Sequence, residues 1–349
     1  MLKRLFLWYN SVKLMLNQID GVNGMAAKIH YGIVGTSKLV RKFLSAIALV
    51  PDSIVMGIVD QTETQAEGKK LVQEFDIPQL YTKTEELLNN ETIDIIYFAV
   101  KNEDYYENAK RALSKGKNVL LEKPFTRHKV GASELFQLAG KKKLFIMEAQ
   151  SALFLPIMQK VRTLLKQGII GDLRFIEVKD HYDVAGKTDW IKKLSAGGGA
   201  LFNGGANFLG VIQYLGGQGF DDWSGFEYNR VGEADTRCNL SLKMNDLLVN
   251  VLLATDFEIE TKLVLYGTKG RIKIPNYRLS NTALLENENK TKRFVISEQK
   301  NDLVYEIEHL NKCLQEKQFV SPIVTPEITI QSITVMESLY RKWYSDSLN

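Results

Sequence analysis

Between residues 28 and 149 two hydrophobic rhythms take turns. Short apolar runs at 28–35, 53–60, 92–100, 118–121 and 143–147 have the length and density of strands buried on both faces. Between them apolar residues recur at helical spacing, first as Leu39, Val40, Phe43, Leu44 and Ile47, then over 64–75, 103–114 and 129–140. Strands alternating with helices predict a parallel sheet covered on both sides. Ligands of such sheets sit beyond the carboxyl ends of the strands, and Thr36, Asp60, Asn102, Glu122 and Glu148 all stand at those ends.

Past Pro156 the pattern changes. A helix over 157–167 leads through Gly168 and Gly171 into a strand at 173–180, and a loop containing Trp190 reaches the glycine-rich stretch from Gly197 to Phe208. Strand-like runs then follow without intervening helices, at 225–231, 235–242, 247–255, 258–266 and 270–274, before closing helices at 302–314 and 328–343. The fold class is therefore α/β for residues 28–149, a Rossmann-type unit, followed by an α+β unit over 150–349 with an antiparallel or mixed sheet. Residues 1–27 form an N-terminal extension: Asn10, Ser11 and Lys13 break its apolar run before it can span a bilayer, so a frayed or weakly amphipathic segment is expected, with a membrane-surface helix as the alternative.

The first strand and helix are joined by Gly35-Thr36-Ser37-Lys38-Leu39-Val40. Against the dinucleotide fingerprint G-x-G-x-x-G, Ser37 stands at the second glycine and Val40 at the third. A helix N-terminus presents unpaired N–H groups and partial positive charge, so this turn is a candidate pyrophosphate cradle made by Gly35, Thr36, Ser37 and Lys38. The second strand ends in Asp60, where a dinucleotide fold places the carboxylate that accepts from the adenosine ribose hydroxyls and repels a 2′-phosphate. That points to NAD over NADP; the alternative is that Asp60 begins a turn or caps the helix over 64–75. Proline keeps its predecessor out of the helical region, so Lys123 in Glu122-Lys123-Pro124 is held extended at a strand's carboxyl end. There its ammonium could orient a substrate hydroxyl and stabilise alkoxide character as hydride leaves. Ala99, Val100 and Asn102 border the nicotinamide side of the same crevice, next to Glu122.

Composition narrows the partners. Of 349 residues 45 are basic and 41 acidic, intermixed, which gives no basic stripe for nucleic acid. The 2 cysteines, Cys238 and Cys313, lie in no metal-binding or disulfide spacing, and 4 scattered histidines offer no zinc pattern. A reduced, cytoplasmic protein without a metal centre is expected.

The ordered set of the Gly-Thr-Ser turn, Asp60, the stretch from Gly116 to Thr126 around Glu122-Lys123-Pro124, Met147-Glu148-Ala149 and Gly197-Gly198-Gly199-Ala200-Leu201 resembles the glucose-fructose oxidoreductase / inositol dehydrogenase (Gfo/Idh/MocA) family. Phe154-Leu155-Pro156, Gly171 to Arg174, Tyr266 to Pro275 and Ser332 to Glu337 extend the resemblance from about residue 28 to the C-terminal region. Met147-Glu148-Ala149 and Phe154-Leu155-Pro156 lean toward the dihydrodiol and xylose dehydrogenase-like branch. The resemblance implies a Rossmann domain, a C-terminal domain with a large open, mainly antiparallel sheet, and an NAD(P)-dependent oxidation or reduction of a sugar, polyol or related alcohol. It also implies that Lys123 is the catalytic residue, that the Lys123–Pro124 peptide is often cis, and that the protein is a homo-oligomer, dimer or tetramer.

The chain departs from the family pattern in the helix after the glycine-rich loop. An aspartate and, one turn later, a histidine or tyrosine are common there; here the positions hold Asn203 and Asn207. Amides can hold a substrate by hydrogen bonds but do not transfer protons at neutral pH. Asn102 is kept, while Lys101 and Tyr105 replace the neighbouring proline and histidine, and Ser151-Ala152-Leu153 replaces a Trp-Thr-Arg run. Three explanations stand: Lys123 handles the proton alone or through water; His181 or Tyr182 supplies it from a new direction; or the chain is a catalytically degenerate dinucleotide-binding sensor.

Overall fold

The computed structural model describes residues 27–182, 189–288, 290–296 and 301–344. The N-terminal extension, apart from residue 27, and residues 183–188 of the loop before Gly197 lie outside the described residues.

The first sheet is built from β1 (Ile29–Val34), β2 (Ser53–Val59), β3 (Leu80–Tyr81), β4 (Ile95–Phe98), β5 (Asn118–Leu121) and β6 (Ile146–Glu148). The connecting helices are α1 (Lys38–Ile47), α2 (Ala66–Phe75), α3 (Thr84–Leu88), α4 (Tyr105–Ser114) and α5 (Lys129–Lys142). Strand order is β3-β2-β1-β4-β5-β6 and every pairing is parallel. Strand β4 is enclosed on both faces, and so is β1 apart from half-buried His30, which is why they read as near-continuous apolar runs. Helix α1 buries Val40, Phe43, Leu44 and Ile47, and Phe43 stacks on Tyr97 of β4 with ring centroids 4.0 Å apart. The chain reverses its order of strand addition between β1 and β4, and this switch opens a crevice at their carboxyl ends. Gly35 sits in it at φ 119°, and a Cβ there would lie 2.5 Å from the Ala99 carbonyl oxygen. Only glycine closes the first turn so tightly against the end of β4.

After α6 (Pro156–Lys166) the chain forms β7 (Leu173–His181), α7 (Ala200–Gly216), β8 (Asp222–Asn229), β9 (Asp235–Met244), β10 (Leu247–Ala254), β11 (Lys262–Gly267), β12 (Gly270–Pro275), β13 (Thr282–Asn287) and β14 (Lys290–Val295). Helices α8 (Val304–Gln315) and α9 (Pro326–Trp343) close the chain. The second sheet is mixed but mostly antiparallel, in the order β14-β13-β12-β11-β7-β10-β9-β8, with β7 and β10 as its parallel pair. Strand β9 alternates cleanly: Cys238, Leu240, Leu242 and Met244 face the core, Asn239, Ser241 and Lys243 face outward. Sequence periodicity did not predict the last hairpin, because β14 at the sheet edge is largely exposed and carries Lys290, Lys292 and Arg293. The two-residue β3 is likewise too short to show a period.

Helix α7 is apolar on all sides and lies between the sheet and α9. Of its 17 residues only Asn203 and Gly216 escape burial. Its first turn is capped by a residue distant in sequence: the Asp235 carboxylate accepts from the Leu201 N–H at 2.9 Å and from the Tyr340 hydroxyl. At Gly199, φ 110°, a Cβ would collide at 2.2 Å with both Asp235 and Tyr340. Burial pushes the Asp235 carboxyl up to about 6, against the opposing effect of the Tyr340 and Leu201 hydrogen bonds.

Candidate cofactor and active site

Ser37 caps α1, its Oγ accepting from the Val40 N–H at 3.4 Å, which leaves the hydroxyl proton free for another acceptor. Ser37 and Lys38 are exposed, Gly35 and Thr36 are half-buried, and the first turn of α1 carries no acidic side chain. The turn therefore offers backbone N–H groups, a hydroxyl and an ammonium to an anion, with nothing nearby to cancel the helix dipole. These features fit a pyrophosphate.

Asp60 is only 2 % exposed. Its Oδ1 accepts from the Thr62 N–H at 3.0 Å and the Thr62 hydroxyl at 2.7 Å, and its Oδ2 accepts from the Gly68 N–H at 2.9 Å. Burial raises its pKa, yet these hydrogen bonds outweigh burial and hold the carboxyl below its usual value. The carboxylate thus stays charged at the end of β2 and also organises the entry to α2.

Lys123 follows β5, and its peptide bond to Pro124 is cis. Its ammonium donates to the carbonyl of Ala149 at 3.3 Å, across the gap between β5 and β6. The N–H of that same Ala149–Gln150 peptide donates to Glu306 Oε1 at 2.7 Å. Glu122, the preceding residue, accepts from the Tyr97 hydroxyl at 2.8 Å. Glu148, fully buried, accepts from the Phe125 N–H at 2.9 Å, the Gln150 amide at 3.0 Å and the Thr329 hydroxyl at 3.2 Å. Burial raises the Glu148 pKa, while these bonds and the nearby Lys123 charge pull it down. Glu306 on α8 is 1 % exposed, and burial, reinforced by the Glu122 charge, pushes its carboxyl up to about 8.

The second sheet's elements meet this centre through several links. Asn102 donates from its amide to the Gly197 carbonyl at 3.0 Å, and Arg127 donates to the carbonyls of Ser195 at 2.7 Å and Leu194 at 3.2 Å. Gln150 also donates to the Ala206 carbonyl of α7 at 3.0 Å. Asn203 is the one side chain of α7 outside the core, though its amide donates back to Gly199 at 2.7 Å. Asn207, one turn further along α7, is buried. Tyr182 lies within electrostatic reach of Tyr105, which in turn lies near Glu122. His181 is turned elsewhere: its Nδ1 donates to the Phe257 carbonyl at 3.0 Å, the local hydrogen bond of a loop histidine. Ala99 and Val100 are half-buried at the end of β4, beside Gly35.

Sequence reasoning did not single out Glu306, Gln150, Tyr97 or Asp235. One signal was available for Glu306: it is an acid between Val304 and Ile307 on the buried face of α8, flanked by Leu310 one turn on. Among the described residues no three His, Cys, Asp or Glu side chains are grouped to hold a metal ion, and no helix is long and apolar enough to cross a membrane.

Comparison with known proteins agrees with this architecture along most of the chain. Residues 29–150 match the model described as oxidoreductase family, NAD-binding Rossmann fold, and residues 158–273 match the GFO/IDH/MocA C-terminal domain. Trans-1,2-dihydrobenzene-1,2-diol dehydrogenase from Xenopus laevis is 28 % identical over 322 residues, covering 90 % of this chain and 97 % of the relative. Among solved structures, aldose-aldose oxidoreductase from Caulobacter crescentus, complexed with glycerol, superimposes with a TM-score of 0.82 at 20 % identity, covering 91 % of this chain and 98 % of that one. A 3-ketoreductase from Actinomadura kijaniata, in complex with NADP and TDP-benzene, gives a TM-score of 0.79 at 20 % identity, with 89 % and 97 % covered. With an NAD(P)-binding Rossmann fold ahead of a mixed, mostly antiparallel sheet, the chain belongs to the Gfo/Idh/MocA family of oxidoreductases.

Proposed function

We propose that the protein is an NAD-dependent oxidoreductase acting on the CH–OH group of a polyol, sugar or related alcohol, or on the corresponding carbonyl, with Lys123 as its acid–base residue. The observation that carries this reading is the Lys123 ammonium held on the Ala149 carbonyl at the carboxyl ends of β5 and β6, beside Glu122, Glu148 and Glu306. Gly35, Thr36, Ser37 and Lys38 cradle the pyrophosphate, and charged Asp60 disfavours a 2′-phosphate. Ala99, Val100, Asn102 and Glu122 line the nicotinamide side. Bound nicotinamide supplies the two-electron acceptor or donor. Lys123 as the free amine takes the proton of the substrate hydroxyl during oxidation, and as ammonium returns it to the forming alkoxide in reduction. Asn203 and Asn207 hold substrate hydroxyls by donating and accepting. The names of the relatives, a dihydrodiol dehydrogenase and an aldose-aldose oxidoreductase, support the substrate class.

A second reading is a dinucleotide-dependent sensor on the same fold. It is favoured by the two amides on α7 and by the His181 ring, which is bonded to Phe257. A screen for NAD reduction over polyols, sugars and trans-dihydrodiols, paired with an equilibrium NAD titration, separates the two. Turnover abolished by Lys123→Ala with NAD affinity kept within about 3-fold supports the enzyme; tight NAD binding with no turnover on any compound supports the sensor.

A further inference from the structure

One peptide group stands between Lys123 and a carboxyl that the proposed chemistry does not use. The carbonyl of the Ala149–Gln150 peptide receives the Lys123 ammonium, and its N–H is gripped by Glu306. Because both bonds belong to one rigid plane, the acceptor that locates Lys123 cannot tilt without breaking the bond to Glu306. A peptide polarised on its N–H side is also a stronger acceptor on its carbonyl side. Glu306 comes from α8, far along the chain, and has no solvent to relax its charge.

We propose that Glu306 is a positioning residue for Lys123: through the Ala149–Gln150 peptide it fixes where the ammonium sits. Glu306 faces Glu122 and Lys123 from the end of β5, Asp302 from the start of its own helix, and the phenols of Tyr31 and Tyr97 from β1 and β4. Lys123 is the one cation in that set. Burial, reinforced by the Glu122 charge, makes Glu306 hard to ionise, and the Lys123 charge opposes them.

The inference rests on Lys123 as the proton-handling group, so the test reads Lys123 without turnover. Trace acetylation with acetic anhydride, quantified at Lys123 by mass spectrometry across a pH series, reports the free-amine fraction. Glu306→Gln retains an oxygen to accept the Gln150 N–H, so Lys123 is expected to label within about 2-fold of the parent across the series. Glu306→Asp shortens the reach and gives up that bond, so Lys123 is expected to label several-fold faster at a given pH. Linkage adds a second readout: in Lys123→Ala the 13C-detected titration of the Glu306 carboxyl is expected to move to higher pH. This last measurement serves if the Asp variant does not fold. An unchanged Lys123 labelling rate in Glu306→Asp, or an unmoved Glu306 midpoint in Lys123→Ala, overturns the proposal. A shifted midpoint in a protein that turns over no substrate would instead keep the coupling and remove the oxidoreductase reading.

Discussion

The amide of Asn102 donates to the carbonyl of Gly197 over 3.0 Å, joining residues 95 positions apart. It ties the loop after β4, on the nucleotide side, to the glycine turn that launches α7. A Cβ at Gly197 would lie 3.0 Å from Asn102 Cβ, so the two loops are already in close approach. Asn102→Ala is expected to free the turn and with it Asn203. Substrate KM should rise about 10-fold, dinucleotide affinity should weaken as well because Asn102 also lines the nicotinamide side in the proposed site, and stability should fall by about 1–3 kcal/mol for the buried carbonyl left without a donor. Steady-state kinetics beside a chemical melt checks both.

Asp60 combines two duties, so its replacement has two readouts. In Asp60→Ser the N–H groups of Thr62 and Gly68 lose their charged acceptor, and the end of β2 loses its negative charge. NAD binding is expected to weaken and the preference for NAD over NADP to narrow by about 10-fold or more, since a 2′-phosphate no longer meets an anion. Titrating both nucleotides against the same protein measures the ratio. An unchanged ratio would place the discrimination elsewhere.

Asp235 carries a pH signature. Its carboxyl titrates at about 6 in the folded protein against 3.8 when unperturbed. Between those values the folded state binds more protons than the unfolded one, so this group makes stability fall as pH rises. The stability is fully present below about pH 4 and lost on passing about pH 6, a change of about 3 kcal/mol. Asp235→Asn removes that slope. Urea melts at pH 4 and pH 7 should show a smaller drop in the variant than in the parent, and equal drops would mean that the cap does not titrate in this range.

The outward face of the second sheet exposes Phe226 at 83 %, along with Tyr228 and Leu248. Register places Phe226 opposite Asn239 and Leu248 opposite Lys243, with the Arg237 guanidinium 3.7 Å over the Tyr228 ring. Aromatic and aliphatic surface interleaved with polar side chains suits a second copy of the chain. The parent chain is expected to sediment as a dimer at micromolar concentration and Phe226→Lys as a monomer with its melting temperature retained; a parent that sediments as a monomer would reject this face as an interface.

The parts of the fold that sequence made legible are those whose residues answer to one local rule. Doubly buried β4 must be apolar throughout and β1 nearly so, and β9 must alternate, so these strands were visible as patterns. Strand β14 answers to no such rule, because an edge strand in water tolerates lysine and arginine along its length. The site divides in the same way. Gly35, Asp60 and Lys123 are marked by their neighbours in sequence, a turn, a strand end and a proline. Glu306 and Asp235 act on Gln150 and Leu201 from distant elements, and only the folded arrangement brings them together.

A helix with no solvent face leaves almost nothing free to vary. On α7 a change of volume at nearly any position must be absorbed by the strands beneath, by α9 above, or by the Gln150 contact that leads back toward Lys123. Asn203 is the exception, a single open position at the mouth of an otherwise locked element. In the proposed site, selection for a new substrate, natural or in the laboratory, would therefore act first on Asn203, and volume-changing substitutions along the rest of α7 would mostly destabilise the protein.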